Sequence, residues 1–346
     1  MQPLSSRPDT TPQSRQALLD ITDLVVDYGV HEPVRAVDHV SLRVRRGEFV
    51  GIVGESGCGK STLLYAVARL LSPPARIVSG QVDFAGRQMV QLTEDELRPI
   101  RWRDYSVVMQ SAMNALNPVL SIGAQLRDAM AAHERIPAAQ MRQRSEEVLR
   151  LVGIDPIHLT SYPHQLSGGM RQRAMIAMAL VFRPDLIIMD EPTSALDVVA
   201  QRSLMRRVKA LQEEFGFAVV FVTHDMSLVS HYSDRLAIMY AGQLVELGAT
   251  REVFAHARHP YSEGLLGAFP SLRGERRELT GIPGAPPDLR HPPRGCRFQP
   301  RCPKVMDICR EDPPAYHVGA TELVRCHLYG PDAHGPDAAP ERQEQR

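Results

Sequence analysis

No stretch of the 346 residues approaches the ~18 consecutive apolar residues needed to cross a membrane. Apolar runs such as Leu186–Met189 and Phe217–Val222 are strand-sized, so the chain is not expected to span a bilayer by itself. Residues 1–16 are polar, carry Pro and Ser, and lack the apolar centre of a secretory signal. A cytosolic location is the resulting expectation. No sign of charge prevails either: 40 Lys plus Arg balance 40 Asp plus Glu, for a net charge of 0. Without a basic excess to neutralise phosphates, broad electrostatic wrapping of nucleic acid is excluded. Cysteine is scarce, with five in the chain. In a reducing compartment these read as free thiols or metal ligands rather than disulfides. There is no internal repeat.

What is present is an ordinary globular composition. Hydrophobic residues make up 43%, enough for a sizeable core in one large domain or two ordinary ones. Residues 1–17 and 331–346 are polar and expected to be disordered. Strand patterns recur at Ile21–Tyr28, Val37–Val44, Phe49–Val53, Leu186–Met189, Ala218–Thr223 and Leu236–Tyr240, with helical stretches between. That alternation predicts a parallel sheet covered by helices. A segment of about 93–162 reads as a helical insertion within a unit spanning 18–255. Residues 256–330 shift to a loop-rich, Pro-dense composition and are expected to form a small appendage.

One motif carries clear chemistry. Gly54-Glu55-Ser56-Gly57-Cys58-Gly59-Lys60-Ser61 fits G-x-x-x-x-G-K-[ST], between a strand and a helix that begins with Ser61 and Thr62. The glycines let backbone N–H groups turn inward on phosphates, and the helix N-terminus faces them. Lys60 would reach the outer phosphates and Ser61 would ligate Mg²⁺. Leu186–Met189 then ends in Asp190 and Glu191, read as the Mg²⁺ carboxylate and the general base. Farther back, Leu166-Ser167-Gly168-Gly169-Met170 opens a helix with a good N-cap and bare N–H groups, a second anion-binding terminus.

With these residues the chain resembles the ATP-binding cassette (ABC) ATPases. The run Leu166–Arg173 resembles their signature; Ser194-Ala195-Leu196-Asp197 is similar to their D-loop. His224 matches their switch histidine, Gln110 their Q-loop glutamine and Tyr28 the aromatic that stacks on adenine. The resemblance implies an α/β P-loop cassette: a RecA-like core sheet, an antiparallel subdomain, a helical subdomain and the cysteine-rich C-terminal appendage. It implies ATP and Mg²⁺ as cofactors and hydrolysis by Glu191 with His224. The nucleotide contacts implied are Tyr28, the loop Gly54–Thr62, Gln110, Ser167, Gly168, Gly169 and Asp197. The metal contacts implied are Ser61, Gln110 and Asp190. Two such subunits would pack head to tail, with the Ser167 helix of one sealing ATP on the other.

With one cassette, no membrane span and no long coiled coil, the chain fits a separate importer subunit. The Met109–Pro118 stretch, His259-Pro260-Tyr261-Ser262 and the tail around Gly295–Pro303 are similar to the D-type ATPase of oligopeptide/dipeptide importers. That family implies a peripheral position on the cytoplasmic face of the membrane. It further implies two permeases, a second ATPase (an F-type partner or another copy) and an extracytoplasmic substrate-binding protein, with no nucleic acid. Peptides are the expected solute, with oligosaccharides or nickel chelates open. The alternative is a non-transport ABC ATPase switching on nucleic acid or the ribosome, which the neutral charge disfavours.

Cys296, Cys302, Cys309 and Cys326 fall within 31 residues, separated by 5, 6 and 16. Such clustering where little core can form suggests a metal staple. No C-x₂₋₄-C pair favours zinc, and iron–sulfur clusters accept wider spacing. Resemblance to tailed members of the importer family favours [4Fe–4S] over zinc. His317 and His327 lie close enough in sequence to substitute as ligands.

Overall fold

The computed structural model describes residues 17–29, 31–110, 115–194, 196–268, 281–319 and 321–330. Of the segments expected to be disordered, 1–17 and 331–346, Ala17 instead begins the first strand and the rest lies outside the described residues, as do Ser111–Asn114 of the Gln110 stretch and Ala195.

Two sheets organise the chain. The first is antiparallel, in the order β2-β1-β4-β5, from β1 (Ala17–Tyr28), β2 (Val34–Arg45), β4 (Ala75–Phe84) and β5 (Arg87–Gln88). The second has eight strands in the order β11-β12-β10-β9-β3-β8-β7-β6. Its parallel part joins β9 (Arg235–Tyr240), β3 (Phe49–Val53), β8 (Ala218–Val222), β7 (Leu186–Asp190) and β6 (Tyr105–Val108). The antiparallel extension is β10 (Gln243–Ala249), β12 (Thr321–Arg325) and β11 (Ala315–Val318).

The period-2 alternation of strands sorts the parallel strands' side chains into two cores. Val50, Ile52, Ile188, Val220 and Val222 face one layer, where α1 (Lys60–Val67) is packed with Leu19, Ile21 and Leu42 of the antiparallel sheet. Phe49, Val53, Ile187, Met189, Val219 and Phe221 face the other. There they meet α3 (Ile122–Ala131), α4 (Ala138–Leu151), α5 (Gly168–Leu180) and α6 (Val198–Phe215). Being buried on both faces explains why β7 and β8 are continuous apolar runs rather than alternating ones.

Two features differ from the sequence reading. The span of about 93–162 includes β6, a full member of the parallel sheet, so the α-helices of this region are the short α2 (Glu94–Leu97) before that strand and α3 and α4 after it, continued by α5. The C-terminal region is also no detached appendage. Its strand β12 pairs with β10 and extends the main sheet. Arg235 of β9 donates to Glu322 of β12 at 2.7 Å, and Arg297 donates to Asp38 of β2 at 2.7 Å. Short strands and 3₁₀ turns let Pro-dense sequence close over an existing sheet without a core of its own.

Candidate nucleotide site

Parallel strands present their carboxyl ends at one edge, which is where open α/β sheets bind ligands. Four strands contribute here. β3 runs into the loop Gly54–Gly59, β7 ends in Asp190 followed by Glu191, β8 leads to His224, and β6 leads to Gln110. The sequence scatters these groups over about 170 positions, and the sheet collects them. They surround a cavity of about 580 Å³ lined by Tyr28, Ala36, Gly54, Ser56, Gly57, Gly59, Lys60, Ser61, Thr62, Gln110, Glu191 and His224.

The loop's shape depends on glycine at two positions. Gly59 caps α1 with φ 99°, and a Cβ there would meet the Ala36 carbonyl oxygen at 2.0 Å. At Gly54 a Cβ would meet the Met239 carbonyl oxygen at 2.1 Å. Lys60 donates from Nζ to the Gly54 and Glu55 carbonyls at 2.8 Å each, folding the loop around its own ammonium. Tyr28, at the end of β1, sits beside the loop with its hydroxyl 3.3 Å from Thr62 Oγ1.

Ser61 Oγ donates to Asp190 Oδ1 at 3.0 Å, while Asp190 Oδ2 is buried with no hydrogen-bond partner. Burial raises the Asp190 pKa against the opposing bonds from Ser61 and Tyr65. A buried carboxylate oxygen left unmet beside a serine hydroxyl fits a divalent cation with oxygen ligands. Glu191 accepts from Gln110 Nε2 at 3.0 Å, and its other oxygen lies 3.5 Å from His224 Nδ1. Its backbone is left-handed, φ 45°, which costs on the order of 1 kcal/mol for a non-glycine residue. A hydrogen bond from its N–H to the Val222 carbonyl, 2.9 Å, holds that conformation. The strain turns the carboxylate off the strand line toward Gln110 and His224.

Other expected site residues lie elsewhere. Ser167 caps α5, accepting from Met170 N at 3.3 Å, and Asp197 caps α6, accepting from Val199 and Ala200 N–H groups. Neither these nor Gly168 and Gly169 line the cavity. The two caps are neighbours, since a Cβ on Gly169 would touch Leu196 at 4.0 Å. Both Ser167 and Asp197 are exposed. Glu55 and Cys58 belong to the loop but their side chains do not line the cavity. Both border a second space behind the loop, about 240 Å³, with Tyr240 and Pro286–Leu289.

Sequence reasoning passed over three residues. Tyr65 lies close enough to Asp190 for each to shift the other's pKa, and its place four positions after Ser61 on α1 was the available signal. Tyr261 and Arg301 both bond Glu55, and no local pattern announces them.

The four C-terminal cysteines are free thiols; Cys296, Cys309 and Cys326 are buried and Cys302 is partly so. Cys296 N donates to the Cys309 carbonyl at 2.9 Å. Burial, with the neighbouring thiols adding, pushes Cys296 up to about 11 and Cys326 up to about 12. Among the described residues, however, no group of three or more His, Cys, Asp or Glu side chains is arranged to hold a metal ion. The expected iron–sulfur or zinc cofactor therefore gains no support from the geometry.

A glycine-shaped loop, an unmet carboxylate oxygen and a strained glutamate at one sheet edge together define a P-loop nucleotide-binding cassette. Residues 37–194 match the model of the ABC transporter family, and residues 245–309 that of the oligopeptide/dipeptide transporter C-terminal region. The chain is 42% identical over 326 residues to the oligopeptide transport ATP-binding protein OppD of Salmonella typhimurium, covering 93% of this chain and 97% of that protein. It is 41% identical to the dipeptide transport ATP-binding protein DppD of Bacillus subtilis, covering 90% of this chain and 95% of that one. Among solved structures, the ATP-binding cassette MJ0796, dimeric and bound to ADP and Pi, superposes with a TM-score of 0.61 at 30% identity, covering 67% of this chain and 99% of that one. The chain belongs to the ABC transporter ATP-binding proteins, in the oligopeptide/dipeptide branch. Among the described residues, no helix is long and apolar enough to cross a membrane.

Proposed function

We propose that this chain is the ATP-hydrolysing subunit of a peptide importer, working on the cytoplasmic face of the membrane. The observation that carries the reading is the group at the sheet edge: Lys60, Ser61, Gln110, Glu191 and His224 around one cavity, with Asp190 buried behind it and bonded to Ser61. The peptide solute is supported by the relatives, which are named for oligopeptide and dipeptide transport.

In this reading Lys60 exchanges its two loop carbonyls for phosphate oxygens. The loop N–H groups and the α1 terminus hold the remaining phosphate charge. Ser61, Asp190 and Gln110 would hold Mg²⁺, whose positive charge would offset the charge that develops on the phosphates. Water attacks the γ-phosphorus, its proton passes to the Glu191 carboxylate, and the bond to the ADP oxygen breaks. Gln110 and His224 fix the two oxygens of Glu191, so the base is aimed before substrate arrives.

The exposed caps Ser167 and Asp197 complete the site across a dimer, either with an F-type partner or with another copy. ATP then binds both halves only in the closed pair and shifts the equilibrium toward it. The dimeric state of the MJ0796 cassette, bound to ADP and Pi, supports the pairing itself. Two permeases and an extracytoplasmic binding protein complete the importer. Hydrolysis as written needs nothing from the cysteines. An iron–sulfur cluster there keeps the support of sequence clustering and shared burial, with zinc the alternative, and metal analysis beside a Cys302→Ser variant decides it: iron with sulfide and brown colour, one zinc, or neither.

Uptake of a labelled tripeptide tests the transport reading. Cells carrying the wild-type chain in its transporter should accumulate the peptide, and cells with Lys60→Ala should not. Equal uptake in both would refute it.

A further inference from the structure

The phosphate loop is also held from behind, by the C-terminal part of the chain. Glu55 is held from the C-terminal region at every polar atom that the loop does not itself use. Arg301 donates from Nη1 to Glu55 Oε2 at 2.7 Å and from Nη2 to Oε1 at 2.9 Å, a two-pronged pair. Tyr261 accepts from the Glu55 N–H at 2.9 Å through its hydroxyl. Arg301 is itself fixed. Its Nε donates to the Pro283 carbonyl at 2.8 Å, Nη1 reaches the Tyr240 hydroxyl at 3.3 Å, and its guanidinium lies 5.8 Å from the Tyr240 ring centre. Its side chain is 6% exposed.

The Glu55 carbonyl, meanwhile, is one of the two oxygens that hold Lys60. One peptide therefore takes Tyr261 at its N–H, Arg301 at its side chain and Lys60 at its carbonyl. We propose that Arg301, with Tyr261, is a positioning residue for the nucleotide site: it sets the phosphate loop from behind, through Glu55. Neither group can touch ATP, because Glu55 separates them from the cavity.

The alternative is that the pair only fastens the C-terminal region to the cassette. The two differ in what is lost. A fastener lowers stability and leaves the folded loop as it was. A positioning pair lowers affinity for the triphosphate in protein that is still folded. Charge-assisted two-pronged bonds are the strong class, and replacing Arg by Lys keeps charge while losing the fork.

The inference rests on the reading of Gly54–Ser61 as a triphosphate cradle, and the experiment separates the two. Full-length protein is titrated with Mg-ATP beside Lys60→Ala, Arg301→Met, Arg301→Lys, Glu55→Gln and the Glu55→Gln/Arg301→Met double variant, with melting curves for each without nucleotide. Wild type should bind and Lys60→Ala should not; failure there sinks the cradle reading itself. Given that, Arg301→Met should weaken Mg-ATP binding about tenfold, Arg301→Lys should recover part of the loss, and the double variant should be no weaker than the poorer single one. Should Arg301→Met not fold, Glu55→Gln alone carries the test, with a similar loss expected. Wild-type affinity in folded Arg301→Met or Glu55→Gln, or losses that multiply in the double variant, would overturn the inference.

Discussion

At the scale of the residue, the site is a set of groups held in states they would not adopt alone. Glu191 sits in the left-handed region and keeps both carboxylate oxygens engaged, by Gln110 and His224. In the proposed mechanism Glu191 is the general base, so Glu191→Gln, which keeps its shape, should lower hydrolysis by ~10²–10⁴-fold. Mg-ATP affinity should stay within about threefold of wild type, since binding rests on the loop and on Asp190; phosphate release and equilibrium titration measure the two. A second residue reports pH. Burial lowers His259 from its ordinary 6.5 to about 3, and its Nδ1 accepts from Tyr261 N at 3.0 Å, as a neutral ring requires. The folded value lies below the unfolded one, so the stability this ring contributes is complete above pH 6.5. It is lost as the pH falls toward 3, at about 1.4 kcal/mol per pH unit. Denaturant midpoints taken from pH 7 to 4 should fall more steeply for wild type than for His259→Asn, which keeps an acceptor and cannot charge. Parallel slopes would show that another group dominates.

At the scale of the element, the loop and the helix it opens are the sensitive parts. Gly59 and Gly57 both have positive φ, yet a Cβ at Gly59 strikes the Ala36 carbonyl while one at Gly57 meets nothing within 4 Å. Gly59→Ala should therefore lower the melting temperature of nucleotide-free protein well beyond the ~1–2 kcal/mol that the left-handed conformation alone costs Gly57→Ala. Equal shifts would contradict the contact. The parallel strands were readable from sequence because burial on both faces leaves continuous apolar runs, as in Leu186–Met189. The loop was readable because its chemistry demands fixed spacing. Strand β6 was harder to see: four residues, Tyr105–Val108, end at Gln110 inside a helical neighbourhood, and too few positions show a period. The C-terminal strands were missed for a related reason. β11 and β12 are short and half exposed, and they form on an edge that β10 already supplies. Contacts such as Arg301 to Glu55 join positions 246 apart, which no local pattern can reveal.

At the scale of the molecule, one sheet edge gathers the reacting groups, while Ser167 and Asp197 face outward as a separate neighbouring pair. The proposal that these caps complete the site of a second subunit makes association testable. Glu191→Gln with Mg-ATP should sediment as a dimer, with its own copy or with its partner ATPase, and return to monomer when ADP replaces ATP. The zero net charge leaves that association to ATP and to matched surfaces rather than to bulk attraction. The C-terminal region belongs to the same body, since it extends the main sheet and reaches the loop from behind. The central claim is that ATP hydrolysis at Glu191 drives peptide import. It is tested most directly by phosphate release from the assembled transporter in lipid vesicles, with and without its peptide-loaded binding protein. Release should rise on adding the loaded binding protein and fall at least a hundredfold in Glu191→Gln. A rate indifferent to the peptide, or unchanged in the variant, would contradict the account.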